Sequence, residues 1–500
     1  MLPFDASPAV SEAEQLGRER RRVLRAIAAD ARIAERVRGL GSAETDGTAE
    51  AGTVGHDHAA DLAHLDARLD EIATDPESGV AVRRALELRA RTLRLALAAR
   101  RERKDAEASD AAADAIVARA AAGDRDLTRG EAAAAARLRR SARAAVATDT
   151  MSSEAAWRER VTDATVRDGV IEALGTMRIR EARRQLRDGL LLTAQMRGII
   201  AEALPAILRG DPVLLVGETG GAKTALAEYL SRHGAGLEPE LVSGYGDITS
   251  AQLIGSHELR AEAGATVSAF VPGPLLRAMA EGRPVILDEV NAMPPEFLKR
   301  LNRILQLRPG DTLGVQEDAG RVVTIAEGFA IIATANEQTP HRYRGLDRLS
   351  AELINRFGAN GYRVHYPDAG RRYEEFPAEN GLLAVAAIAD PHGRLPAAIG
   401  PGELMRAVRA AFISQQVFAG SHGEGFAEFV STEREIDGRP GLEESVIAPR
   451  TLVAILQKAA GSAGAVTLER ALGRFVEGVM HREDRRVLGL ILEGQGFRIG

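Results

Sequence analysis

Cysteine is absent from the 500 residues, which removes disulfides, zinc–thiolate centres and thiol nucleophiles. Aromatic residues are scarce, at 4%. Ala and Arg abound instead, and these, with Leu and Glu, are the residues most easily placed in a helix. No apolar run approaches the roughly 18 residues that cross a bilayer. The opening MLPFDASPAV has neither the basic start nor the apolar stretch of a secretory signal. Both absences predict a cytoplasmic protein without membrane insertion. Positive charge is not in excess either. The net charge of −6 and a pI near 6.0 argue against a nucleic-acid surface spread over the whole molecule, while leaving room for a local basic patch. What is present is length and apolar content: 45% hydrophobic over 500 residues suffices for two or three domains with their own cores.

Residues 1–190 read as an all-helical region without a catalytic constellation. In GVAVRRALELRARTLRLALAARRERKDAEA, Val82, Leu86, Leu93 and Leu97 follow a 4-7-4 spacing, which predicts one narrow, coiled-coil-like stripe. The stretch GSAETDGTAEAGTVGHDHAA (41–60) reads as a mobile loop. Its His56 and His58 lack a third ligand and are better read as solvated than as a metal site. From 191 to 368, short aliphatic strands (PVLLVG, RPVILDE, GFAIIATAN) alternate with helical stretches. That rhythm predicts an α/β fold with a parallel sheet and helices on both faces. From 369 to 500 the chain returns to helices, and Pro449 in SVIAPRTLVAILQKAA falls at a first helical turn.

PVLLVGETGGAKTALAEYL predicts a buried strand, a glycine-rich turn and a helix. Residues Gly217, Glu218, Thr219, Gly220, Gly221, Ala222, Lys223 and Thr224 follow G-x-x-x-x-G-K-[ST] except that Ala222 stands at the second glycine. Such a turn wraps backbone N–H groups around a triphosphate, with a helix N-terminus behind them. Lys223 then reaches the outer phosphates of ATP and the Thr224 hydroxyl ligates Mg²⁺. Because position 222 adjoins the helix, a residue with negative φ is expected to serve there. A glycine-rich turn alone could be only a tight connection. RPVILDEVN supplies what it lacks: a strand ending in two carboxylates, Asp288 for the Mg²⁺ shell and Glu289 to orient and polarise water. Asn336 ends the strand GFAIIATAN, where an amide can bond that water or the γ-phosphate; an ordinary turn asparagine is the plainer alternative.

The order of phosphate loop, Asp-Glu strand, Asn strand, then Arg356 and Arg450 resembles the AAA+ ATPases, most closely their MoxR-like and dynein-related branch. The likeness covers about 195–500. It implies a P-loop core followed by a helical lid, with Asn336 as sensor 1. It also implies that Arg356 in LSAELINRFGA is the arginine finger acting on a neighbouring subunit, with Arg348 the weaker candidate, and that Arg450 is sensor 2. LIGSHELRAEAGATVSAFVPGPLLRAMAEG is similar to that branch's hairpin insert, and QEDAGRVVTIAEGFAIIATAN to its hairpin before sensor 1. Independently, Thr266–Phe270 alternates as a strand and Asp318-Ala-Gly320 makes a hairpin turn. The resemblance implies a homo-oligomeric ring, usually a hexamer, and a chaperone that remodels a protein client, such as one carrying a von Willebrand A domain. Two other readings stand beside it. A nucleic-acid motor or restriction-type subunit would need a basic hairpin, yet the insert's LRAEAGATVSAF offers only Arg260. A nucleotide-gated scaffold would act through residues 1–190.

Overall fold

The computed structural model describes residues 8–9, 12–13, 15–24, 26–27, 58–76, 79–122, 126–149, 157–158, 160–262, 265–337, 349–420, 423–430, 440–462 and 464–499. Of the loop expected from 41 to 60, residues 41–57 with His56 lie outside them, as does Arg348, while 58–60 are helical instead, His58 opening a helix. The chain divides into two units, Met1–Glu107 with Ser141–Gly175, and Ala108–Arg140 with Thr176–Gly500.

Residues 15–24 are helical, and α1 (His58–Thr74), α2 (Gly79–Ala122), α3 (Arg129–Asp149) and α4 (Ala164–Arg187) follow. In the first unit, Val82 packs with Ala13 and Ile72, and Leu69 and Leu86 lie against them. The leucine stripe does not continue as its spacing predicts. Leu97 is 42% exposed, whereas Thr92 and Ala96 are buried. Beyond Val82, burial on α2 falls on Thr92 and on alanines such as Ala96, Ala106 and Ala113, not on the leucines of the stripe.

The second unit continues with α5 (Ala194–Leu208), β1 (Val213–Gly217), α6 (Lys223–Tyr229), β2 (Glu240–Ser243) and α7 (Ser250–Ile254). The hairpin β3 (Gly255–Glu262) and β4 (Ala265–Pro272) follows, then α8 (Pro274–Glu281), β5 (Val285–Asp288) and α9 (Pro295–Ile304). A second hairpin, β6 (Thr312–Val315) and β7 (Arg321–Thr324), precedes β8 (Ile331–Asn336), α10 (Ala351–Phe357) and β9 (Gly361–Val364). The helices α11 (Ala378–Ile388), α12 (Pro401–Phe418), α13 (Pro449–Gly461), α14 (Leu468–Glu477) and α15 (Arg482–Gly494) complete the chain.

The main sheet is parallel, in the order β2-β5-β8-β1-β9. Its central strands bury both faces, as crossover helices on each side require. Alternation decides which side each residue serves: Val213, Leu215, Ile286 and Ile332 pack on one face, Leu214, Leu287, Ile331 and Ala333 on the other. Both hairpins form where the sequence places them, with Ala319 and Gly320 turning the second at φ 50° and 79°. Pro449 opens α13 as its ring-fixed φ favours. The fold is thus a P-loop α/β sheet with helices on both faces, preceded and followed by helices.

Candidate nucleotide-binding site

The register of the sheet collects the polar residues at one end. Gly217 at the end of β1 stands opposite Asn336 of β8 on one side and Val364 of β9 on the other. A Cβ on Gly217 would lie 2.2 Å from the Val364 carbonyl oxygen, so only glycine lets the chain leave the strand here. Beyond it the loop turns through Gly220 at φ 70° and Ala222 at φ 65° into α6. This corrects the expectation for Ala222. The residue that caps the helix is left-handed, the conformation in which a Cβ is strained by roughly 1–2 kcal/mol and glycine is not. The resemblance to G-x-x-x-x-G-K-[ST] is therefore conformational as well as sequential, with alanine held in glycine's geometry.

Lys223, only 7% exposed, folds back beneath the loop. Its Nζ donates to the carbonyl oxygens of Gly217 at 3.0 Å and Glu218 at 2.8 Å, and to Asn336 Oδ1 at 2.9 Å. Burial pushes this ammonium below its ordinary pKa; Glu218, Asp288 and Glu289 oppose that shift and Arg450 adds to it. An ammonium whose desolvation outweighs its carboxylate neighbours is one that an anion would stabilise further.

The carboxylate pair sits across the cavity. Asp288 Oδ1 accepts from Thr224 Oγ1 at 2.7 Å and from Thr334 Oγ1 at 2.6 Å. The same Thr334 oxygen accepts the Glu289 N–H at 2.9 Å. Glu289 takes φ 54° and ψ 49°, an uncommon conformation for a side chain of this size. Gly244 makes room for it, since a Cβ there would lie 2.4 Å from the Glu289 carbonyl oxygen. Asn291, buried, brackets the Asn336 backbone: its Nδ2 donates to Asn336 O and its Oδ1 accepts from Asn336 N, each at 3.4 Å.

Lys223, Thr224, Asp288, Glu289, Thr334 and Asn336 border one cavity of about 400 Å³, within the ordinary range for small-molecule sites. Its polar wall is the loop from Thr219 to Thr224 with Asp288, Glu289, Thr334 and Asn336, and Arg450 enters from the first turn of α13. Its apolar wall is Leu190, Leu191, Met196, Leu383 and Val453, with Leu186 from the end of α4. Arg356 does not border it. That guanidinium lies near the C-terminal end of α10, 3.4 Å from Glu352 on the same helix.

Sequence reasoning missed several contributors. Thr334 is the polar residue inside the otherwise apolar IIATA, fully buried and beside Asp288 across β5 and β8; a lone hydroxyl there was its signal. Tyr366 donates its phenol to the Thr219 carbonyl oxygen at 2.7 Å, and nothing in its neighbourhood of the sequence indicates this. The apolar wall before β1 carries no motif.

The arrangement suits a polyanion with an apolar body. The loop from Thr219 to Thr224 and two cations, Lys223 and Arg450, line the cavity, with a hydroxyl–carboxylate pair of the kind hard divalent cations take and a wall of aliphatic side chains. Residues 212–357 match the AAA domain of the dynein-related subfamily. The chain is 35% identical over 164 residues to the uncharacterized protein YojN of Bacillus subtilis, covering 33% of this chain and 51% of that protein. An uncharacterized protein of Staphylococcus epidermidis is 36% identical over 146 residues, covering 29% and 52%. The chain spans about half the length of the curated relatives it matches. A crystal structure of NtrX from Brucella abortus aligns with 65% of this chain and 74% of its own at 18% identity and a TM-score of 0.31. Residues 212–357 of the chain are therefore an AAA domain of the dynein-related subfamily.

Proposed function

We propose that the chain binds ATP with Mg²⁺ in this cavity, hydrolyses it, and uses the cycle as a ring to remodel a protein client, in the manner of MoxR-like chaperones. The observation that carries the reading is the convergence of Lys223, Thr224, Asp288, Glu289 and Asn336, from the ends of the adjacent parallel strands β5 and β8 and the helix after β1, on one cavity. In this reading residues 217–224 cradle the phosphates and the aliphatic wall covers the base. Thr224 and Asp288 hold Mg²⁺, which supplies charge neutralisation to the phosphate oxygens when bound. Glu289 orients the attacking water and accepts its proton, Asn336 contacts the γ-phosphate or that water, and Arg450 brings a guanidinium from the lid. Lys223 exchanges its carbonyl partners for phosphate.

Arg356 has a different place. Its position outside the cavity supports a role on the neighbouring subunit's nucleotide, which makes the closed homo-oligomeric ring, a hexamer in this reading, part of the active site. The core is taken as 191–368 and the lid as 369–500, with 1–190 as the region that distinguishes this chain. The compartment in this reading is the cytoplasm, and a von Willebrand A domain is the client class. Among the described residues no helix is long and apolar enough to cross a membrane.

Glu289→Gln tests the reading. It keeps shape but removes the negative charge next to the water, so ATP binding should persist while turnover falls by about a hundredfold or more. Turnover within a few-fold of wild type would remove Glu289 from catalysis. Partners retained by the tagged, ATP-trapped protein and identified by mass spectrometry test the client.

A further inference from the structure

Asn380 on α11 and Ser414 and Gln415 on α12 are fully buried, among mostly aliphatic and aromatic neighbours. Polar side chains persist in such surroundings when they are bonded, and each of these is. Asn380 and Gln415 form a reciprocal amide pair: Asn380 Nδ2 donates to Gln415 Oε1 and Gln415 Nε2 donates to Asn380 Oδ1, both at 3.1 Å. Gln415 Nε2 also donates to the Ile447 carbonyl oxygen at 2.9 Å, and the Ile447 N–H donates to Ser414 Oγ at 3.2 Å. Both backbone groups of Ile447 are therefore held by adjacent residues of one helix.

Ile447 leads directly into Ala448, Pro449 and Arg450. Ala448 caps α13 and Pro449 is its first residue, with φ fixed by the ring, so little freedom separates Ile447 from the guanidinium-bearing residue. Ala448 also touches the phosphate loop closely: a Cβ on Gly220 would lie 2.8 Å from the Ala448 Cβ. At its other end the amide pair is tied to the core. The Asn380 N–H donates to Asp368 Oδ2 at 2.8 Å, and Asn380 Nδ2 lies 3.2 Å from the same oxygen and from the Pro367 carbonyl oxygen. These residues directly follow Tyr366, which grips Thr219.

We infer that the Asn380–Gln415 amide pair, with Ser414, positions Arg450 at the phosphate loop by fixing Ile447. The inference rests on the reading of Arg450 as a residue of the ATP site. Asn380, Ser414 and Gln415 do not border the cavity, so they are positioning residues and act through Arg450. A role in lid stability alone would weaken the fold without making their effects on turnover depend on Arg450.

A double-mutant cycle on the full chain separates the two. Gln415→Met keeps the volume and removes both amide functions. It should lower kcat/KM for ATP by about tenfold, as should Arg450→Ala, and the double variant should stay near tenfold because the two act as one unit. Ser414→Ala is the milder variant should Gln415→Met fold poorly; it should give a drop of about threefold that vanishes in the Arg450→Ala background. Amide hydrogen exchange gives a second readout, with faster exchange at 446–452 in Gln415→Met and loss of its slowing by ATP. Additive losses in both cycles, or unchanged exchange at 446–452, would overturn the inference. Should Arg450→Ala alone leave kcat/KM at the wild-type value, the reading of Arg450 fails, and the exchange measurement still decides whether the amide pair fixes this segment.

Discussion

Thr334 Oγ1 donates to Asp288 Oδ1 at 2.6 Å while accepting the Glu289 N–H at 2.9 Å. One hydroxyl thereby fixes a carboxylate and the backbone of the residue after it, which is left-handed. Thr334→Val preserves shape and β-branching but leaves the Glu289 N–H and one Asp288 contact unmatched. Hydrogen bonds involving a charged group contribute about 1.5–3 kcal/mol, so kcat should fall by roughly tenfold to a hundredfold. Nucleotide affinity should change little. Thr334→Ser, which restores the hydroxyl, should recover most of the rate. Steady-state ATPase assays with a parallel nucleotide titration check both.

Ala222→Gly removes a Cβ from a residue at φ 65°. Strain of roughly 1–2 kcal/mol is relieved, offset by the greater backbone entropy of unfolded glycine, about 0.5–1 kcal/mol. The variant should be more stable by about 0.5–1 kcal/mol, read as a higher urea midpoint for the transition monitored through the nucleotide site. A lower midpoint would show that the methyl group does more in packing than it does harm to the turn.

Lys223 predicts a pH dependence. Its native pKa lies below the ordinary 10.5 because of burial, so between the two values the unfolded chain binds more protons and stability rises with pH. Below the native pKa the full penalty of a buried ammonium is present. Without nucleotide, wild type should therefore gain stability as pH rises toward 10.5, and Lys223→Met, which lacks the titrating group, should lose that part of the dependence. Saturating ATP should stabilise wild type but not Lys223→Met, since only wild type gains binding energy. Denaturant titrations across pH, with and without ATP, measure this.

Arg356 predicts complementation between subunits. Arg356→Ala should bind ATP almost normally yet hydrolyse it about a thousandfold more slowly, the scale of effect seen when a phosphate-facing arginine is lost. Lys223→Ala should be inactive through loss of binding. Mixing the two, under conditions where subunits exchange, should restore partial activity, because some interfaces pair an intact loop with an intact arginine. No recovery in an exchanging mixture would place Arg356 outside catalysis in trans.

The central strands were legible because burial on both faces demands aliphatic runs, and VLLVG, VILD and IIATAN have them. The edge strands β2 and β9 were not: ELVS and GYRV are short and carry charged or polar residues where the sheet meets solvent. The phosphate-loop residues, Asp288, Glu289 and Asn336 follow a linear pattern and were read from it. Arg450 was placed by resemblance and does border the cavity, while Arg356 does not. Thr334, Tyr366 and the aliphatic wall escaped because their relation to the site exists only after the sheet pairs and the helices around the cavity pack. The conformation of Ala222 escaped for another reason, since an alanine next to a helix gives no local hint of a left-handed backbone.

The bond from Tyr366 to the Thr219 carbonyl has a consequence for the loop's polarity. None of the described peptide bonds is cis, so the Thr219–Gly220 amide is a flat trans unit whose oxygen and hydrogen point in opposite directions. With the oxygen anchored to the phenol at 2.7 Å, the Gly220 hydrogen is committed to the opposite side. Gly220, at φ 70°, is otherwise a place where the plane could rotate, and rotation would present an oxygen lone pair where a donor had been. Tyr366 thus acts as a lock against a peptide flip, fixing the sign of a dipole in a loop 147 residues away along the chain.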